Sequence, residues 1–159
     1  MQLCSKSSMT KLGIMADSHR AWKSIAEALP SFEDCRYIIH LGDHESDMDD
    51  FPEISDRLIT VCGNCDFFST KPAKRVFTIE GVKILVCHGH AYGVKHGLDE
   101  LAVNAQREGC ALALYGHTHE KRDTVISGVR LINPGALKNG NFAILTIDGD
   151  AVNAGFMTV

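Results

Sequence analysis

Apolar residues along this chain gather in short blocks, and each strand-like block runs into a tight turn that carries Asp, Asn or His. Residues 11–16 form a first apolar strand, and it ends at Asp17. Across residues 21–29, Ala21, Trp22, Ile25, Ala26, Ala28 and Leu29 recur at helical spacing until Pro30 closes the run. Residues 37–41 and 58–62 are further strands, ended by Gly42-Asp43 and Gly63-Asn64. This β-α-β-α-β order predicts a parallel or mixed sheet covered by helices.

The second half repeats the theme. Residues 75–79 and 82–87 flank Glu80-Gly81, a two-residue hairpin signal, and the second strand delivers His88-Gly89-His90. A helix is predicted over 96–107, with Leu98, Leu101, Ala102 and Ala105 facing inward and Gly109 as its stop. Residues 111–115 make another strand and run into Gly116-His117-Thr118-His119. The tail reads as hairpins over 122–126, 129–132, 141–147 and 151–159. The expectation is an α/β protein with two sheets, the second mainly antiparallel.

Length and charge narrow the chemistry. One domain is expected over 10–159, behind a polar, flexible leader at 1–9 that lacks the apolar stretch of a signal peptide. The net charge is −4, with no basic stripe to engage long nucleic acid, so a small anionic substrate fits better. No apolar run approaches the ~20 residues of a membrane span. Six cysteines, most of them inside apolar runs, read as reduced core thiols and point to the cytoplasm.

The five strand-end motifs gather two Asp, one Asn and four His: Asp17, His19, Asp43, Asn64, His88, His117 and His119. Strand ends can aim distant side chains at one point. Hard oxygens mixed with imidazole nitrogens suit a pair of divalent cations, Mn²⁺ first, with Fe, Ni²⁺ or Zn²⁺ as alternatives. Asp43 stands alone after its strand and is the natural bridge between two ions.

The run D-x-H, G-D, G-N, a later His and G-H-x-H resembles the calcineurin-like metallophosphoesterases over nearly the whole chain. Within them it is most similar to the small YfcE-type phosphodiesterases, which share the turns standing here as Gly63-Asn64-Cys65-Asp66, His88-Gly89-His90 and Asn133-Pro134-Gly135. The resemblance implies a four-layer αββα sandwich of two mixed sheets flanked by helices. It implies that Asp17, His19, Asp43 and His119 hold one metal, and that Asp43, Asn64, His88 and His117 hold the other. It further implies hydrolysis of a small phosphate ester, a diester rather than a monoester, by a hydroxide bridging the metals. A homo-oligomer is compatible with the family. The alternative is a non-catalytic protein-binding scaffold on the same fold, as in the related retromer subunit.

One position departs from many larger relatives, which carry His after the Asn of the third motif as a proton donor to the leaving group. Cys65 stands there, and a thiol is a poor substitute for an imidazolium. His44, His90 or His96 could compensate. His90 is read as either orienting the site or touching phosphate, while His44 and His96 are read as ordinary loop and helix residues. His40, inside its strand, is read as a hydrogen-bonded neighbour of the site or a core residue. Cys62-Gly63-Asn64-Cys65 spells CxxC, but with no second pair a redox reading is the lesser one. Asp47, Asp49 and Asp50 are read as a solvated loop or helix start, and Trp22 and the Phe residues as core or interface packing. Specificity is expected in the loops at 45–53, 66–74 and 91–95.

Overall fold

The computed structural model describes residues 9–159. The expected leader at 1–9 therefore lies outside the described residues except for Met9, which already belongs to the first strand. In chain order the elements are β1 (Met9–Met15), α1 (Trp22–Ala28), β2 (Tyr37–His40), β3 (Leu58–Thr60), β4 (Lys74–Ile79) and β5 (Val82–Cys87). There follow α2 (Asp99–Arg107), β6 (Leu112–Leu114), β7 (Arg122–Ile126), β8 (Val129–Asn133), β9 (Asn141–Asp148) and β10 (Ala151–Thr158). The helix expected to begin at His96 starts at Asp99 instead.

These strands make two five-stranded sheets, in the orders β10-β9-β1-β2-β3 and β4-β5-β6-β8-β7. In the first, β1 pairs in parallel with β2 and antiparallel with β9. In the second, β6 lies parallel to both β5 and β8, while β4 and β7 are antiparallel edges. The second sheet is thus mixed rather than mainly antiparallel, and the last hairpin, β9-β10, returns to the first sheet. Turn chemistry did not reveal that return, because a hairpin signal fixes only the partner next in sequence.

Strand alternation sorts the core into three apolar layers. Leu12, Ile14, Ile39, Ile84, Val86, Leu112 and Leu114 meet between the sheets. Their neighbours on the opposite strand faces, Met15 and Ile38, pack with Ile25, Ala28 and Phe32 on the α1 side. Leu85, Ala113 and Leu131 pack with Leu101, Ala102 and Ala105 of α2. Each sheet is therefore buried on both faces, and the result is the αββα sandwich. Gly13 belongs to this scheme: a Cβ there would stand 2.5 Å from the Phe32 ring, so its missing side chain lets that ring lie on the sheet.

Among the described residues no helix is long and apolar enough to cross a membrane. Trp22 is half exposed and donates to Asp50 Oδ2 at 2.8 Å, while Phe67 and Phe68 project into solvent. These three lie outside the core.

Candidate metal centre

Parallel strands end together, so the loops after β1, β2, β5 and β6 converge. Ligand atoms of Asp17, His19, Asp43 and His119 all lie within 4.8 Å of one another, and so do those of Asp43, His88 and His117. Asp43 is common to both groups. Asn64 sits at the exposed rim beside them, its amide nitrogen 3.6 Å from Cys65 Sγ.

The backbone is bent to achieve this. Asp17, His19, Asp43, His117 and His119 all have positive φ, between 42° and 70°. Left-handed backbone costs a non-glycine residue roughly 1–2 kcal/mol. Five such residues at one point mark a constellation that the surrounding structure enforces.

Two glycines make room for it. A Cβ on Gly63 would collide with Asp43 Oδ1, and one on Gly116 would sit 2.9 Å from Asp17 Oδ2. The Gly of the G-N motif is thus dictated by Asp43, and that of the G-H motif by Asp17 together with the Ala16 Cβ, 2.8 Å from the same point.

A common pattern governs the buried ligands: one polar atom is tied up and the other is left facing the centre. Asp43 Oδ1 accepts the Cys65 N–H at 2.9 Å, and its Oδ2 stands 3.3 Å from His88 Nε2 and 3.6 Å from His19 Nε2. Asp17 Oδ2 accepts the His117 N–H at 3.1 Å, and its Oδ1 stands 3.3 Å from His119 Nε2. The Nδ1–H of His88 donates to the Leu41 carbonyl at 2.8 Å, which turns Nε2 inward. Among the described residues, Asp17 Oδ1 and His19 Nε2 are the buried side-chain atoms without a hydrogen-bond partner. Orphaned donors and acceptors at such depth are costly. An oxygen and an imidazole nitrogen left bare side by side fit a divalent cation.

Electrostatics follow from this crowding. Burial, with the Asp43 carboxylate adding to it, pushes Asp17 up to about 6. Burial also raises Asp43, but the His88 hydrogen bond and charge overcome it and hold that carboxyl well below the usual range. His88 is lowered by burial, yet Asp43 and Asp17 more than offset this and raise it. Burial lowers His19, His90 and His119, and takes His117 down to about 4. Most of the imidazoles are therefore neutral and free to donate lone pairs near pH 7.

Behind the ligands lies a polar frame. The Gly42 N–H donates to His40 Nδ1 at 3.1 Å, so the proton sits on Nε2 and reaches Ser18 Oγ at 2.9 Å. Ser18 in turn donates to Asp47 Oδ2 at 2.8 Å, which also accepts the Arg20 N–H. His40 is thus the hydrogen-bonded neighbour expected of it, and burial lowers it to about 4. Asp47, expected to be solvated, is buried. Asp66 accepts three backbone amides, those of Asp43, Glu45 and Gly63. Asn133 holds the Gly116 carbonyl and Thr118 Oγ1, both at 3.0 Å, so its Asn-Pro-Gly segment braces the centre besides turning the chain.

The remaining candidates are peripheral. The His90 ring is exposed, 5.4 Å from that of His88. The His44 ring lies 4.9 Å from that of His19, nearer than an ordinary loop position implies. His96 is exposed and precedes α2. Burial first, then Asp43, raises the Cys65 thiol above its ordinary value, so it stays protonated and parts with its proton reluctantly. Cys35, Cys62, Cys65, Cys87 and Cys110 are free thiols, leaving Cys62-Cys65 without the disulfide of a redox pair.

Two open grooves adjoin the centre. One, about 770 Å³, is lined by Arg20, His44 and Cys65, which directly follow His19, Asp43 and Asn64, and runs out to Phe67, Phe68 and Lys71. The other, about 530 Å³, includes Thr118 between the two His of its motif and is edged by Lys95, His96, Lys121 and Arg122.

Residues 10–150 match the calcineurin-like phosphoesterase superfamily domain. The chain is 30% identical over 150 residues to the probable metallophosphoesterase YsnB of Bacillus subtilis, covering 90% of this chain and 88% of that one. Its fold is similar to that of a predicted phosphoesterase of Streptococcus pneumoniae TIGR4, with a TM-score of 0.81 at 24% identity over 95% and 90% of the two chains. It is also similar in fold to Vacuolar Protein Sorting 29 of Cryptosporidium parvum, with a TM-score of 0.76 at 17% identity over 95% and 98%.

Proposed function

The chain belongs to the calcineurin-like phosphoesterase superfamily, and on that premise we propose that it hydrolyses small phosphodiesters at a centre of two divalent cations sharing Asp43. In this reading Asp17, His19, Asp43 and His119 hold one cation, and Asp43, Asn64, His88 and His117 the other. The observation that carries it is the pair of ligand groups meeting on Asp43, with Asp17 Oδ1 and His19 Nε2 left bare between buried neighbours. When bound, such a pair supplies Lewis acidity that brings a water's pKa toward neutrality and neutralises phosphate oxygens. Mn²⁺ is the first choice for this mixed oxygen and nitrogen set.

The protein's own part is positioning. The Cys65 and His117 amides hold Asp43 and Asp17 so that one oxygen of each stays inward. The Leu41 carbonyl fixes the His88 tautomer, keeping Nε2 toward the centre. Diesters are favoured because grooves flank the centre through both Cys65 and Thr118, with space for an ester arm on either side. The Cys65 thiol, with its pKa raised, is a weak proton donor to an alkoxide, so acidic leaving groups suit this site.

The test is turnover of bis-p-nitrophenyl phosphate by protein stripped with a chelator. The stripped protein should be inactive and recover with added Mn²⁺. Undiminished turnover after verified metal removal overturns the mechanism. Inactivity with Mn²⁺, Fe²⁺, Ni²⁺ and Zn²⁺ alike favours the non-catalytic scaffold.

A further inference from the structure

Phe67 and Phe68 are the most exposed large apolar side chains among the described residues, at 84% and 99%. They do not sit on a loose loop. Just before them, Asp66 accepts three backbone amides. Just after them, Ser69 Oγ donates to Glu45 Oε1 at 2.7 Å and accepts the Lys71 N–H at 3.0 Å. The Cys62 N–H then closes the loop on the Pro72 carbonyl at 3.0 Å. Two aromatic rings are therefore presented to water from a braced support, in the groove that begins at Arg20, His44 and Cys65.

We infer that this groove is a subsite for one aromatic, uncharged ester arm of the substrate, an aryl group or a nucleobase-bearing sugar, stacked on Phe67 or Phe68. The inference rests on the phosphoesterase reading and adds the substrate class to it. Charge chooses the arm. The cations Arg20 and Lys71 are matched in the groove by Glu45, Asp49 and Asp66, so a second phosphate gains little there. The groove on the Thr118 side is different: Lys95, Lys121 and Arg122 outnumber Glu120, and an anionic extension would go that way. Flat, sequence-adjacent rings accept any planar partner, which suits recognition of an aromatic class rather than of one molecule.

Calorimetric titration of Mn²⁺-loaded protein with phenylphosphonate, methylphosphonate and inorganic phosphate tests this without requiring turnover. Wild type should bind phenylphosphonate about five- to tenfold more tightly than methylphosphonate. Phe67→Ser/Phe68→Ser changes only exposed side chains. It should erase that preference while leaving inorganic phosphate affinity unchanged. Phosphate binding with no aryl preference, or a preference that survives in the variant, overturns the subsite alone. Failure of all three ligands to bind overturns the phosphoesterase reading together with the subsite. Concentration-dependent self-association that the variant abolishes, with no aryl preference, overturns the subsite and reassigns the rings to a contact between copies.

Discussion

The two sheets bring different chemistry to the centre and hold it by different means. The first sheet contributes both carboxylates, Asp17 and Asp43, from the ends of β1 and β2. The second contributes His88, His117 and His119 from the ends of β5 and β6. The carboxylate side is framed by side chains: Asp66 on three amides, and the line His40–Ser18–Asp47. The imidazole side leans more on backbone, through the Gly116 N–H to the His88 carbonyl at 2.9 Å and the Leu41 carbonyl on His88, with Asn133 as its buried side-chain brace. The ligand carboxylates themselves are held by backbone amides, those of Cys65 and His117; the side chains of the first sheet's frame brace the loops that carry Asp17 and Asp43 rather than the ligand oxygens.

The sharpest way to break this contrast is Asp43→Ala, since Asp43 alone serves both groups. It should lose both cations, and turnover should fall by at least about 10³-fold. His119→Ala should empty one position and spare the other. Elemental analysis of the two folded variants decides; two metals retained by Asp43→Ala would dissolve the shared-bridge assignment.

Next in size is the frame itself. Asp66→Ala leaves three amides without their acceptor and should cost about 3 kcal/mol, read from the denaturant midpoint. Asn133→Ala, on the imidazole side, should cost about half as much. Equal losses would mean that the two sides are braced alike.

A pH series isolates one member of the frame. The folded-state pKa of His40 is depressed to about 4, so its contribution is present above its ordinary 6.5 and is lost as pH falls toward 4. Between pH 7 and 4.5 the metal-free protein should lose about 2–3 kcal/mol through this group. His40→Gln should remove that part of the acid sensitivity. Identical pH profiles for variant and wild type would show that His40 is not what titrates.

The smallest expected effect lies at the rim. Cys65→His should change the rate on activated aryl esters by less than about tenfold while flattening the dependence on leaving-group pKa. Hydrolysis of graded phenyl esters at saturating metal measures the slope. A shallow slope already present in wild type, and unaltered in the variant, would place the proton donor elsewhere.

Much of this was legible before folding. Four apolar runs ending in Asp or His lead into the residues that meet in the two ligand groups, legible because a strand end is both easily recognised and rigid. The frame was less legible. Asp47 sits in an acidic run that reads as solvated, and only the tight turn at Glu45–Asp50 buries it against Ser18, far away in sequence. Periodicity reports whether a side chain faces a core, not which distant polar group will meet it. Phe67 and Phe68 were left between core and interface for the converse reason: aromatic character predicts burial, and nothing local signalled that the loop would hold both rings outward. The return of β9-β10 to the first sheet was hidden because strand order is a property of the whole topology.

That return has a consequence for the order of assembly. β1 lies between β2 and β9, pairing with residues 143–148 along nearly its full length. During synthesis, β1 to β3 leave the ribosome before β4 to β8, and one edge of β1 stays open until β9 follows them. The second sheet, built wholly from residues 74–133, needs nothing that comes later. Nascent chains therefore carry an unsatisfied, apolar strand edge until β9 is made, a natural client surface for a chaperone and the place where a chain stalled before β9 would first aggregate.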